Sequence, residues 1–127
     1  MVTLVLPTKT EWIKALKSGN YRKGTKYLSN GGRFCCLGVL QDLVSRKSVV
    51  KRAYLSGSSQ YLATDDIGLY SVSWARKLGL TIKVQEVLVD LNDGNEERDI
   101  KPRSFKQIAE YIKKNIPAWG KGVIAKL

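Results

Sequence analysis

The sequence predicts a compact α+β domain, dominated by helix and carrying one or two short β-hairpins. Three observations predict it. Two capping-box signatures, Thr8-Lys9-Thr10-Glu11 and Ser104-Phe105-Lys106-Gln107, each open an apolar stripe at helical spacing. A third apolar set, at 36, 37, 39, 40, 43 and 44, follows the i, i+1, i+3, i+4, i+7, i+8 pattern of a wide buried helical face. Between the helical patterns lie glycine-rich turns, Ser29-Asn30-Gly31-Gly32 first among them. With 127 residues, 43% hydrophobic and 26% charged, the chain is long enough for one core and has the composition of a folded domain. No linker or internal repeat divides it, so residues 1–127 read as a single domain.

In chain order, Thr8 caps a helix over 8–18, with Trp12, Ile13 and Leu16 on one face and Gly19 as the stop. Pro7 at N′ is placed to pack against Trp12, a variant of the hydrophobic staple. Lys26-Tyr27-Leu28 and Arg33-Phe34-Cys35 are expected to pair across the Ser29–Gly32 turn as a hairpin. The next helix runs to about Ser45. Gly38 inside it costs about 1 kcal/mol against alanine, which predicts close approach of a neighbouring backbone. A second hairpin is expected around Ser56-Gly57-Ser58-Ser59, and a short helix over Ser71 to Leu78, closed by Gly79. Residues 82–91 suit helix or strand, and the clean stop at Asp93-Gly94 favours helix. After a polar loop over 92–103, Phe105, Ile108, Ile112 and Ile116 line the last clear helix, which Pro117 ends. The tail from Trp119 reads as a strand or an ordered extension.

The chain has no histidine, which excludes Ser-His-Asp and Cys-His catalysis and histidine-containing zinc sites within it. Its two cysteines, at 35 and 36, are too close for an ordinary disulfide and point to a reducing cytoplasm. No apolar run approaches the roughly 20 residues that span a bilayer, and the short apolar start lacks the features of a secretory signal. The net charge of +11 is unevenly distributed. Residues 1–64 hold eleven basic and two acidic side chains, 65–100 four and eight, and 101–127 seven and one. Two basic segments flank an acidic one, which favours an anionic partner, whether nucleic acid, nucleotide or an acidic protein face, or else marks a solvated, solubility-promoting surface.

Four phrases occur in order: Trp12-x-x-Ala15-Leu16-x-Ser18-Gly19-x-Tyr21, Phe34-Cys35-Cys36-Leu37-Gly38-Val39-Leu40, Leu91-Asn92-Asp93 and Ser104-Phe105-x-x-Ile108-Ala109-x-Tyr111-Ile112. In this ordered set, which covers most of residues 12–112, the chain resembles a family of small uncharacterised proteins encoded by bacteriophages and prophages. Members often carry Gln near the segment where this chain has Arg22 and Lys23, and Leu-Pro where it has Leu62-Ala63. The resemblance brings no site residues. It implies a phage accessory protein in the cytoplasm of an infected bacterium, where many such proteins antagonise host defences or redirect host enzymes.

Chemistry has four candidate seats. Cys35, at a helix start behind Arg33, has the setting of a reactive thiol, but with no base nearby both cysteines read better as small buried hydrophobes. Asn92 and Asp93 read as a structural turn, or as hydrogen-bonding groups facing a ligand in a cleft. Glu96, Glu97 and Asp99 match no calcium-loop spacing, so no metal and no cofactor are expected. The strongest binding candidate is the basic-aromatic segment Tyr21, Arg22, Lys23, Lys26 and Tyr27, with Arg33 across the turn. Arginine and lysine pair with phosphate, and tyrosine rings stack on bases. No Walker, dinucleotide-binding or RNA-recognition signature is present.

The expectation is therefore a non-catalytic binder of an anionic ligand, a nucleotide signal or nucleic acid, at these residues with Asn92 and Asp93. Two alternatives stand beside it: an inhibitor docking on an acidic host protein, and a small hydrolase or transferase using Asp93 with a Tyr or Lys.

Overall fold

The structure is a computed structural model that describes residues 3–47, 69, 73–119 and 124–126. The hairpin expected around 56–59 lies outside the described residues. The chain is α+β: β1 (Thr3–Val5), α1 (Lys9–Lys17), β2 (Arg22–Lys23), β3 (Ser29–Asn30), β4 (Arg33–Phe34), α2 (Cys36–Lys47), α3 (Ser73–Lys77), α4 (Ile82–Asp93), α5 (Phe105–Asn115) and β5 (Ile124–Lys126).

The capping boxes form as the sequence predicts. The Thr8 hydroxyl accepts from the Glu11 N–H at 3.1 Å while the Glu11 carboxylate accepts from the Thr8 N–H at 3.2 Å. Ser104 and Gln107 repeat the arrangement at the start of α5. Each box satisfies two backbone donors that a helix start otherwise leaves without partners. α4 is a helix, capped by Thr81, whose hydroxyl accepts from the Val84 N–H.

α1 packs against α5 and α2, and α2 and α5 each pack against α4. Their shared core holds Trp12, Leu16, Leu37, Leu40, Trp74, Leu88, Ile108 and Ile112. Fully burying a side chain of this size contributes roughly 1.5–3 kcal/mol. The Trp12 ring carries one polar atom into that core, and it is satisfied: the indole N–H donates to the Cys36 carbonyl at 2.9 Å. The tail forms β5, which pairs antiparallel with β1 and joins the two ends of the described chain.

The hairpin differs from its expected register. Pairing begins at Ser29, not Lys26, with Ser29 opposite Phe34 and Asn30 opposite Arg33. Gly31 and Gly32 both take positive φ (58° and 81°), the backbone that closes a two-residue hairpin loop with the right twist. Lys26 and Tyr27 lie outside the paired strands, while Leu28 keeps one bond to Cys35. β2 then adds to the other edge of β4 in parallel, giving the order β2-β4-β3.

Gly38 fulfils its predicted role. A Cβ there would sit 1.8 Å from the Leu28 carbonyl oxygen, so only glycine lets α2 seat against the chain entering β3. That same carbonyl accepts the Cys35 N–H at 3.1 Å.

Candidate functional site

The residues between β2 and β3 turn sharply over the start of α2, and the turn is held from beneath by α4. Asn92, buried in the last turn of α4, makes three hydrogen bonds there. Its Oδ1 accepts the Cys36 N–H at 3.1 Å, and its Nδ2 donates to the Gly24 carbonyl at 2.9 Å and to Asp93 Oδ1 at 2.7 Å. Asp93 Oδ2 in turn accepts the backbone N–H of Lys26 at 3.1 Å. Lys26 sits at φ 74°, a left-handed conformation uncommon for a residue with a Cβ. The carboxylate bond to its N–H offsets part of that cost.

Above this clamp lies a pocket of about 390 Å³ lined by Lys23, Gly24, Thr25, Tyr27, Asn30 and Arg33. Its size falls at the small-ligand end of the range of about 300–1,000 Å³ typical of binding sites. Arg33 is exposed, and its Nη1 donates to the Lys23 carbonyl at 3.3 Å, which holds the side chain across the turn. Gly24 passes close under it: a Cβ at 24 would meet Arg33 Cβ at 2.7 Å. Tyr27, 43% exposed, is one of the large hydrophobic side chains the core leaves outside.

The eight residues singled out from sequence therefore divide into four groups. Lys23, Tyr27 and Arg33 line one pocket. Asn92 and Asp93 lie under the same turn and face its backbone; Asn92 is fully buried with both amide atoms engaged, so its place is below the turn and not in a cleft. Lys26 contributes its backbone N–H to that clamp, and Arg22, opposite Arg33 in the parallel register, is exposed outside the pocket lining. Tyr21 faces elsewhere. Its hydroxyl donates to Asp42 at 2.6 Å, and its ring meets Phe34 edge-on at 5.2 Å.

Two polar residues escaped the sequence reading. Asp42, on α2, is buried and also accepts Arg46 Nε at 2.7 Å. This hydrogen bond, with the carboxylate charge behind it, raises the Arg46 pKa further above its ordinary value. Gln85 is fully buried in α4 and bonds the backbone of Leu69 and Leu80. Gln85, Leu88 and Asn92 share one helical face, so polar side chains on an apolar stripe were the signal for both Gln85 and the true position of Asn92.

The thiols are structural. Cys35 occupies the cap position of α2, its Sγ accepting the Gly38 N–H at 3.4 Å. Burial pushes its thiol up to about 11, outweighing the amides at the helix start that act to lower it. Burial raises Cys36 as well, and its Sγ lies 3.7 Å from the Leu88 carbonyl. Neither is a thiolate at neutral pH. Among the described residues no group of three or more Cys, Asp or Glu is arranged to hold a metal ion, and no helix is long and apolar enough to cross a membrane.

The fold and this turn define the class of protein: a small α+β chain that presents a basic pocket on a turn clamped from beneath by an Asn-Asp pair. The chain belongs to the family described as "Domain of unknown function (DUF8296)", whose model matches residues 6–116. No curated protein and no solved structure matches it.

Proposed function

We propose that this chain binds a phosphate-bearing nucleotide at the basic turn and does not turn it over. The observation that carries the reading is the convergence of Lys23, Arg33 and Tyr27 on one pocket whose floor is fixed by Asn92 and Asp93. Arg33 has donors beyond the one given to the Lys23 carbonyl, and a guanidinium fork matches phosphate oxygens. Tyr27 offers a partly exposed ring for a base. A turn already held in place loses little further entropy when ligand binds. Asp93, the carboxylate beside the turn, is engaged with Asn92 and the Lys26 N–H, which favours binding over proton transfer. In an infected bacterium, the setting the phage resemblance implies, a protein of this kind acts by sequestering a nucleotide signal.

The test is calorimetric titration of the chain with AMP, ATP and a short single-stranded DNA at low and high salt. Binding should weaken with salt and be lost in Lys23→Glu and Arg33→Glu, with a smaller effect in Lys26→Glu, whose side chain lies outside the lining. No binding at low salt, or binding indifferent to these reversals, overturns the reading. DNA bound far more tightly than mononucleotide reassigns the turn to nucleic acid.

A further inference from the structure

A second concavity, of about 550 Å³, is lined by Glu11, Lys14, Ala15, Tyr21, Phe34, Leu43 and Arg46, with Ser18 and Asn20 at its rim. It shares no lining residue with the basic pocket. Strand alternation explains the separation: on β4, Arg33 belongs to one side and its neighbour Phe34 to the other. From the geometry of this groove we infer a separate binding site for a monocarboxylate carried on a flat apolar body.

Two features support that chemistry. The apolar wall is built on an edge-to-face pair: the Tyr21 and Phe34 rings meet at 88°, and Leu43 and Ala15 complete the lining. Its cation is also held in place. Asp42, with a side chain only 3% exposed, accepts both the Tyr21 hydroxyl and Arg46 Nε. With Nε engaged, the two terminal nitrogens of Arg46 have no protein partner among the described residues, and its side chain is 66% exposed. Such a fork is shaped for a bidentate carboxylate.

Charge balance selects among anions. Among the described residues, Asp42 offsets Arg46 and the lining holds Glu11 as well as Lys14, so the groove carries little net charge. A doubly charged phosphate gains little there, whereas a monoanion with an apolar body uses both the fork and the rings. The basic pocket, whose lining has cations and no carboxylate, has the opposite preference.

The probe is 3-phenylpropionate, titrated to about 10 mM into the full ¹⁵N-labelled chain, with 3-phenylpropan-1-ol as the neutral control. The expected result is saturable amide shifts at Ala15, Tyr21, Phe34 and Leu43, with the alcohol at least about fivefold weaker. Arg46→Gln should abolish the preference for the acid, and Arg46→Lys should keep part of it. Should Arg46→Gln fail to fold, Ala15→Leu narrows the groove from α1, and it should weaken both probes. Equal affinity for acid and alcohol, no saturable shift, or shifts confined to residues 23–27 each overturn the inference. Lys23→Glu with Arg33→Glu should leave phenylpropionate binding unchanged, so this inference and the proposed nucleotide site fail separately.

Discussion

Replacing Asn92 with alanine tests the clamp that shapes the basic turn. The substitution removes the partner of a buried donor, the Cys36 N–H, and of a partly buried acceptor, the Gly24 carbonyl, together with the bond to Asp93. A buried donor left without a partner costs about 1–3 kcal/mol, and a partly buried acceptor that regains water about 0.5–1 kcal/mol. The expected loss is about 3 kcal/mol, or a fall in Tm of about 10 °C for a chain of this length. Asp93→Ala supplies the contrast. It frees only the exposed Lys26 N–H and one Asn92 donor, so it should cost about 1 kcal/mol or less. Urea unfolding of the two variants, followed by tryptophan fluorescence, gives both numbers, and amide exchange at Lys26 should quicken in each. A loss below about 1 kcal/mol for Asn92→Ala, or equal losses for the pair, would refute the clamp.

Three further predictions concern the scaffold. Gly38→Ala should destabilise the fold by about 3 kcal/mol or more, because its Cβ cannot occupy a position 1.8 Å from the Leu28 carbonyl; a Tm unchanged from the parent would show that α2 can retreat at no cost. Gln85→Leu should cost about 2–4 kcal/mol by leaving the Leu69 N–H and the Leu80 carbonyl without their partner, read by denaturant midpoint at constant m-value. Cys35 should resist iodoacetamide at pH 8 until the chain unfolds. Its folded pKa is raised from 9.0 to about 11, so the stability held by the neutral buried thiol is complete below pH 9 and is lost as pH rises toward 11, by about 3 kcal/mol. Alkylation of the native chain at the rate of a free thiol would contradict this.

What the sequence revealed and what it concealed divide by range. The Thr8–Glu11 and Ser104–Gln107 boxes are complete within four residues, and the α5 stripe declares itself by spacing alone. Gly38 was legible because a glycine on an apolar helical face needs a reason, and close approach is the common one. The parallel pairing of β2 with β4 was not legible, since two-residue strands have no pattern of their own and exist only once tertiary packing aligns them. The partners of Asn92 lie 56 and 68 residues away, so its local Asn-Asp-Gly setting suggests only a turn or a cleft. Asp42 has no local signature of its role, because Tyr21 comes to it from another element. Of the basic segment, composition alone could not say that Lys23, Tyr27 and Arg33 converge while Tyr21 turns away.

The proposed function rests on anion binding at the clamped turn. Its most direct test is an amide-resolved titration of the ¹⁵N-labelled chain with AMP at low salt. Binding at the turn should give saturable shifts concentrated at Lys23, Gly24, Thr25, Tyr27 and Arg33, reversed by added salt. Shifts that are absent there, or that appear instead around Tyr21, Leu43 and Arg46, would contradict it.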